Sequence, residues 1–345
     1  MSFRSWVTVI TLILLVGVVY FGRHEIYQAW KLLGNVNLWI LAMLIPVQFF
    51  SYYATGSIIF SYLRSKGNLK DTSHWTMTRM ALELNFVNHI IPSGGAAGFS
   101  YLGWVLNRHG VSAGRATMAQ LVRFSLSFIA FLALLAVAVV ILFLDHRISP
   151  IIIMISVGLA LVAIIAATLL LFVVGNNARL KKFSGWLTRF INGFMSIVTR
   201  GKNKQAVKFE VLEGFFEELH HDYLALRHEK KILVRPFIWA FAMNLADVAL
   251  IAIAFLALGY EANPAILFVA FGVSSVASIV SVTPGGAGVY EAIMIAFLAS
   301  AGVPADIAIA GTLLARVSLL LGTILFGYFF YQLTIVKYGK RPTNG

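Results

Sequence analysis

The sequence predicts an all-α polytopic membrane protein with about six full spans and two re-entrant helical hairpins in an inverted-topology repeat. Three observations predict this. Of 345 residues, 59% are hydrophobic and 12% charged, whereas charged residues make up about 25% of a soluble domain. Uninterrupted apolar runs such as Leu121–Leu144 and Pro150–Val174 exceed the roughly 18 residues that mark a spanning helix. The third observation is a device used twice: Asn88-His-Ile-Ile-Pro92-Ser-Gly94-Gly95-Ala-Ala-Gly98 breaks a hydrophobic run in the first half, and Val282-Thr-Pro284-Gly285-Gly286-Ala-Gly-Val-Tyr-Glu291 breaks one in the second.

A shift of 192 positions (284 less 92), without gaps, puts Pro92 on Pro284 and Gly94 on Gly286. The same shift aligns Leu106 with Leu298, Gly110-Val111 with Gly302-Val303, Ala116 with Ala308 and Leu121 with Leu313. Proline removes a backbone donor and glycine lets the chain reverse, so each break should end one helix and begin another. Within lipid such a break persists only where protein or a water-filled cavity satisfies the freed backbone groups. Interrupted hydrophobic segments in matching halves point to a transporter's binding site.

The formal net charge of +13 would suggest nucleic acid in a soluble protein. Here the Lys and Arg residues sit in loops between apolar runs, the positive-inside pattern, and no nucleic-acid partner is expected. Cysteine is absent, which excludes a disulfide framework, a thiolate metal site and a cysteine nucleophile. No cofactor or metal is expected, since His89 and His220-His221 lack a set of co-ligands.

The chain is read as one integral membrane domain over 1–345, with repeat one at about 38–144, a cytoplasmic loop at 175–235 and repeat two at about 236–335. Trp6–Phe21 is a retained first span because it lacks a small-x-small cleavage site. Leu38–Leu63 is the second span, and the basic loop containing Arg64, Lys66 and Lys70 faces inward. Thr76–Val105 holds the first break between two arms too short to cross, with basic residues on both flanks, so it should enter and leave on the cytoplasmic side. Ala116–Leu144 and Pro150–Val174 are full spans. Gly175–Arg235 carries twelve Lys or Arg against six Asp or Glu. Leu212, Phe215, Phe216, Leu219 and Tyr223 form an amphipathic stripe within it, and its flanking lysines and arginines could meet anionic lipid head groups.

Pro236–Leu258 is the fifth span and leads to a loop without Lys or Arg. Pro264–Ala301 carries the second break and should dip in from the outer face. Ile307–Ile335 returns to Lys337, Lys340 and Arg341. Both termini are then cytoplasmic and the bilayer is the plasma (inner) membrane.

A charged side chain at the centre of a span costs about 2.5–3.5 kcal/mol on insertion scales, so each one needs a partner or a wet cavity. Arg79 and Glu83 are one helical turn apart and can pair. Arg123, Asp247, Glu291 and Arg316 lie within apolar segments, and Asn244 is one turn before Asp247. The second arm of each hairpin begins at its glycine-rich turn, so its N-terminus would offer an anion site inside the membrane. With Arg123 and Arg316 near, that centre suits a phosphate on an apolar body. Candidate substrate-binding residues are therefore Glu83, Asn88, Pro92, Gly94, Gly95 and Arg123 in the first half. In the second half they are Asp247, Pro284, Gly285, Gly286, Glu291 and Arg316.

The pattern Pro284-Gly-Gly-x-Gly-x-x-Glu291 followed by Arg316, with the earlier Asn88…Pro92-Ser-Gly-Gly-Ala-Ala-Gly98, resembles the lysylphosphatidylglycerol synthase transmembrane-region family. The resemblance covers nearly the whole chain. It implies a flippase-like membrane protein moving a phospholipid or a polyprenyl- or glycolipid head group between leaflets, with membrane lipids as partners and Glu83, Arg123, Glu291 and Arg316 as functional polar residues. Family members that make lysyl-lipid carry a soluble aminoacyl-transferase domain after the membrane part. This sequence ends at Gly345, so transport rather than enzymatic synthesis is expected. A membrane-embedded transferase acting on a lipid-linked sugar or phosphate, and a secondary transporter of a small anion, remain the alternatives. Substrate, direction, energy source and oligomeric state are open at the level of sequence.

Overall fold

A computed structural model describes residues 34, 36–90, 96–144, 150–176, 229–280 and 286–338, together with isolated positions between 178 and 224. The expected first span, both glycine-rich tips (91–95 with Pro92, Gly94 and Gly95; 281–285 with Pro284 and Gly285) and most of the amphipathic stretch lie outside these residues, as do both termini. Every regular element among the described residues is helical: α1 (Leu38–Ala42), α2 (Leu44–Ser65), α3 (His74–Ile90), α4 (Ala96–Arg108), α5 (Ala113–Leu144) and α6 (Pro150–Val174). After them come a 3₁₀ turn (Lys230–Leu233), α7 (Val234–Ala257), α8 (Pro264–Val280), α9 (Val289–Ser300) and α10 (Ala305–Tyr338). Among the described residues four stretches are long and apolar enough to cross a membrane: Leu38–Ser65, Ala113–Leu144, Lys230–Ala257 and Ala305–Lys337. The chain is a multi-pass, all-helical membrane protein.

Local chemistry sets the boundaries. Asn37 Oδ1 accepts from Trp39 N at 3.0 Å and caps α1. Pro46 cannot donate to the carbonyl one turn back, which interrupts the helix between α1 and α2. Proline opens α6 and α8 at the first helical position, where its missing N–H costs nothing. Left-handed glycines stop four helices, and they come in pairs 192 residues apart: Gly67 (φ 84) with Gly259 (φ 78), and Gly110 (φ 77) with Gly302 (φ 91).

The closing hydrogen bonds match as well. Asn68 N donates to Leu63 O at 2.9 Å and Tyr260 N to Phe255 O at 3.0 Å, while Val111 N donates to Leu106 O at 3.1 Å and Val303 N to Leu298 O at 3.0 Å. Each member of these two pairs stands 192 positions from its counterpart. Helix ends follow the same shift: moved back by 192, α7 to α10 cover 42–65, 72–88, 97–108 and 113–146, against 44–65, 74–90, 96–108 and 113–144 for α2 to α5.

The packing repeats under the same exchange. In the first set α2 meets α3 and α5, α3 meets α4, and α4 meets α5; in the second α7 meets α8 and α10, α8 meets α9, and α9 meets α10. Across the sets α3 packs on α10 as α8 packs on α5, and α5 packs on α7 as α10 packs on α2. The largest interface joins the counterparts α2 and α7, and these run antiparallel. Asn37 N bonds Ala257 O, Ser51 Oγ bonds Asp247 Oδ1, and Lys66 pairs with Glu229 just before the 3₁₀ turn.

The start of α5 and the ends of α2, α4 and α10 therefore share one end of the molecule. Arg64, Lys66, Arg108, Arg115, Lys231 and Lys337 gather there. The opposite end carries Glu261 and Asp306 and, among the described residues, no Lys or Arg. Each end has its own apolar core. One forms around Ile58, Leu63, Leu84, Leu102 and Leu106, the other around Phe255, Leu267, Phe297 and Leu298. Outside, Leu321, Leu325, Phe329 and Leu333 are exposed at four-residue steps along α10, a stripe suited to lipid tails.

The arms of the two broken segments are 17 and 13 residues (α3, α4) and 17 and 12 residues (α8, α9). At 1.5 Å per residue the longest reaches about 26 Å, short of a core of about 30 Å. Each pair folds back on itself. A Cβ on Gly98 would strike the Asn88 amide while Tyr101 reaches back to Glu83, and Gly286 (φ 72) sits against Ser278 while Ser274 reaches Met294. Where α3 crosses α10, a Cβ on Gly327 would lie 2.9 Å from Leu82 O and would overlap Phe86. Gly327→Leu should therefore separate α3 from α10 and cost about 1–3 kcal/mol, read as a lower thermal unfolding midpoint of the purified protein in detergent.

Candidate functional site

The polar residues foreseen within the membrane do not collect in one chamber. Glu83 and Arg316 mark two clusters: Thr334, which holds Glu83, is 18 residues along α10 from Arg316, or about 27 Å at 1.5 Å per residue.

The cluster toward the basic end forms where α3, α4 and α10 meet. Glu83 is 1% exposed. Its carboxylate accepts from Tyr101 Oη at 2.8 Å and from Thr334 Oγ1 at 2.7 Å, with Arg79 Nη2 at 3.7 Å. The foreseen Arg79–Glu83 pair exists, but two hydroxyls make the shorter contacts. Phe330 lies beneath the Arg79 guanidinium, with the ring centroid at 5.3 Å. A cavity of about 330 Å³ opens here, lined by Asp71, Thr76, Arg79, Glu83, His109 and Lys337 among others.

The second cluster forms around the start of α9. Glu291 Oε2 accepts from Gly288 N at 2.6 Å, and its Oε1 accepts from Arg316 Nε at 2.7 Å. The N-terminus of α9, foreseen as an open anion site, is thus filled by the carboxylate of its own third residue. Gly288 has a φ of 87, which orients its N–H toward that carboxylate without a Cβ penalty. Arg316 and Glu291 are 13% and 14% exposed, so the pair is largely desolvated, and the Tyr290 ring lies 4.7 Å from the guanidinium.

Asp247 accepts from Ser51 Oγ at 2.5 Å at the α2–α7 crossing. Tyr52 and Tyr290 both lie within electrostatic reach of Asp247 and Arg316, so the second cluster spans α2, α7, α9 and α10. Asn244 points elsewhere, to the carbonyls of Ala240 (2.9 Å) and Ser127 (3.3 Å). Gln48 on α2 mirrors that contact by donating to Leu319 O at 2.7 Å, and Ser127 and Leu319 are 192 positions apart. Tyr52 and Thr323 share a buried hydrogen bond beside it.

Arg123 differs from Arg316. It stands ten residues into α5, as Arg316 stands eleven residues into α10, so the two lie about 15 and 17 Å in from opposite ends. Gln120, on the preceding turn, donates to Phe99 O at the start of α4, beside the first break. Arg123 Nε is buried without a hydrogen-bond partner and the guanidinium packs at 4.4 Å from the Phe124 ring. No carboxylate reaches it among the described residues. Position 99, the counterpart of Glu291 under the shift, is Phe.

The family described as the lysylphosphatidylglycerol synthase TM region matches residues 6–327. The chain belongs to this family. Membership is consistent with a lipid-related function in the membrane. A membrane protein designated UPF0104 from Methanothermobacter thermautotrophicus is 23% identical over 164 residues, 48% of this chain and 43% of that protein. The chain thus spans less than half the length of this curated relative. The match to the family covers both broken segments and both arginines.

Sequence reasoning missed Gln48, Tyr52, Tyr101, Thr323 and Thr334. Their signal is polar side chains within apolar helices, which a search for formal charge passes over. Replacing one member of the Glu291–Arg316 pair leaves an uncompensated buried charge, at about 3–5 kcal/mol. Glu291→Gln and Arg316→Gln should each lower the unfolding midpoint sharply, and the double substitution should lower it by less than the sum in a double-mutant cycle.

Proposed function

We propose that this protein is a lipid translocase of the plasma (inner) membrane, moving the head group of a phospholipid or a polyprenyl- or glycolipid through a polar interior while acyl chains remain in the bilayer. The observation that carries the reading is Arg123: a cation one turn from Gln120, which bonds the start of α4, about halfway through a 30 Å core, with no anionic partner among the described residues. Holding such a charge within hydrocarbon is costly unless something compensates it. A phosphate passing through would do so, with charge-assisted hydrogen bonds to the guanidinium fork.

The remaining groups take complementary parts. Glu83 and Asp247 bind a cationic head-group moiety or carry coupling protons. Glu291 holds Arg316 and caps α9, so a phosphate reaching Arg316 competes with that carboxylate and loosens the second break. The hairpins are re-entrant from opposite leaflets and the halves form an inverted-topology repeat, an architecture that suits alternating access. The antiparallel contact of α2 with α7 and the matched helix stops support this arrangement. Lysines and arginines at one end favour that end, with both chain termini, as cytoplasmic.

Activity is tested in liposomes with the purified protein and fluorescent phosphatidylglycerol, phosphatidylethanolamine or polyprenyl phosphate. Loss of one charged hydrogen-bonding group should slow head-group transfer by about tenfold or more in Arg123→Gln, with Arg123→Lys in between. Equal rates for all three proteins, or no transfer by any, would remove the proposal. Because the chain lacks cysteine, topology has its own test. Single cysteines at Ser93 and Ser281 should react with impermeant maleimide from opposite sides of the membrane, and labelling of both from one side contradicts inverted hairpins.

A further inference from the structure

A second cavity, of about 380 Å³, opens at the basic end between α2, α3 and α7, away from both ionic clusters. Its charge is one-sided. Arg64, Lys231 and Arg235 line it with His74, and no acid does among the described residues, whereas the cavity at Glu83 sets Asp71 and Glu83 against Arg79 and Lys337. The nearest acid in sequence, Glu229, is paired with Lys66. Arg64 is committed to the 69–74 loop, donating to Leu69 O at 3.4 Å and Thr72 O at 2.5 Å and meeting His74 Nε2 at 3.1 Å. Lys231 and Arg235 are exposed, one turn apart, and make no such commitment among the described residues.

Below the cations the lining changes in a fixed order. Ser61 and Ser57 follow down one face of α2 beside Phe60 and Met77, partly buried and with hydroxyls that have no hydrogen-bond partner among the described residues, and then come Tyr53 and Trp239, edge to face at 5.3 Å. From Ser65 to Tyr53 is twelve residues of helix, about 18 Å. Charge at the surface, hydroxyls beneath and aromatic carbon deepest is the polarity profile of a glycerophospholipid standing in its own leaflet. Basic pockets between helices on the cytoplasmic side are suited to anionic head groups.

The fold alone does not require this lining. The positions 192 away hold Leu256 for Arg64, Ile253 for Ser61, Ala249 for Ser57, Trp39 for Lys231, Met43 for Arg235 and Ile266 for His74. Every polar residue has an apolar counterpart at the other end. A bias of basic residues toward one face would account for the arginines and lysine, but not for the two serines within the membrane.

We propose that this crevice binds one anionic glycerophospholipid, its phosphate at Lys231 and Arg235, its glycerol oxygens at Ser57 and Ser61, and an acyl chain against Tyr53 and Trp239. The site is separate from the path assigned to translocated lipid and does not depend on that assignment. A lipid seated there braces the start of α3, the arm that carries Arg79 and Glu83.

The test reads equilibrium binding, so it stands whether or not the protein moves lipid. The full-length protein is reconstituted in phosphatidylcholine vesicles and titrated with phosphatidylglycerol brominated in its acyl chains. The Trp239 signal is obtained by subtracting the Trp239→Phe protein. Brominated phosphatidylglycerol should quench Trp239 at far lower mole fraction than brominated phosphatidylcholine. At roughly fivefold per cation, Lys231→Gln with Arg235→Gln should shift that titration about 25-fold. Ser57→Ala with Ser61→Ala, which leaves charge untouched, should shift it several-fold. Equal quenching by the two lipids, or an unchanged titration in both double variants, overturns the proposal. Displacement by millimolar inorganic phosphate would make this a site for the free anion and overturn the lipid assignment.

Discussion

Hydrocarbon cannot hydrogen-bond, so each polar group brought into it must find its partner within the protein, and the crossing of α2 on α7 is where this chain meets that demand. Two long helices from different halves run antiparallel from Asn37 beside Ala257 to Lys66 beside Glu229, with Ser51 and Asp247 joined between them. Once these helices are fixed, α5 can pack on α7 and α10 on α2, and each broken segment is held against the opposite half. Gln48 and Asn244 secure those contacts by donating to backbone carbonyls at Leu319 and Ser127. Both bonds are to carbonyls of helices that already hold their own ladders, so they fix position without breaking an element.

Matched backbones with unmatched side chains give this molecule its polarity. The glycine stops at Gly67 and Gly259 and at Gly110 and Gly302 close helices in the same way in both halves. The arginines behave differently. Arg316 is held by Glu291, while Arg123 faces a half in which the counterpart of that acid is Phe99. The same divergence sets the basic crevice of Arg64, Lys231 and Arg235 against an apolar surface at the other end. A common scaffold thus presents two chemically distinct faces.

Much of this was legible in the sequence. A helix has the bounds expected at Pro150–Val174, and the helices of the expected fifth and last spans begin and end within three residues of expectation. Hydropathy and chain-breaking residues are local, and local physics decides helix ends. The pair Gly67 and Gly259 obeys the same shift as the two breaks and was readable from it. The capping of α9 was readable too, because a flexible Gly288 followed three residues later by Glu291 is the spacing of a capping box. What sequence could not supply was pairing across the chain. Thr334 reaches Glu83 over 251 positions and Gln48 reaches Thr323 over 275. A threonine or glutamine in an apolar helix carries no mark of its partner. Asn244 shows the same limit: its place one turn before Asp247 allows contact, but the neighbouring helices decided each side chain's direction.

The account rests on the antiparallel contact between the first long helices of the two halves, and cross-linking in native membranes tests it most directly. In the cysteine-free chain, cysteines are placed in pairs at Asn37 with Ala257, at Ser51 with Asp247 and at Lys66 with Glu229, and treated with a short bifunctional thiol reagent. All three pairs should link within one chain, while Asn37 with Glu229 and Lys66 with Ala257 should not. Linking of the last two pairs in place of the first and third would mean that the helices run parallel, and the relation between the halves described here would be wrong.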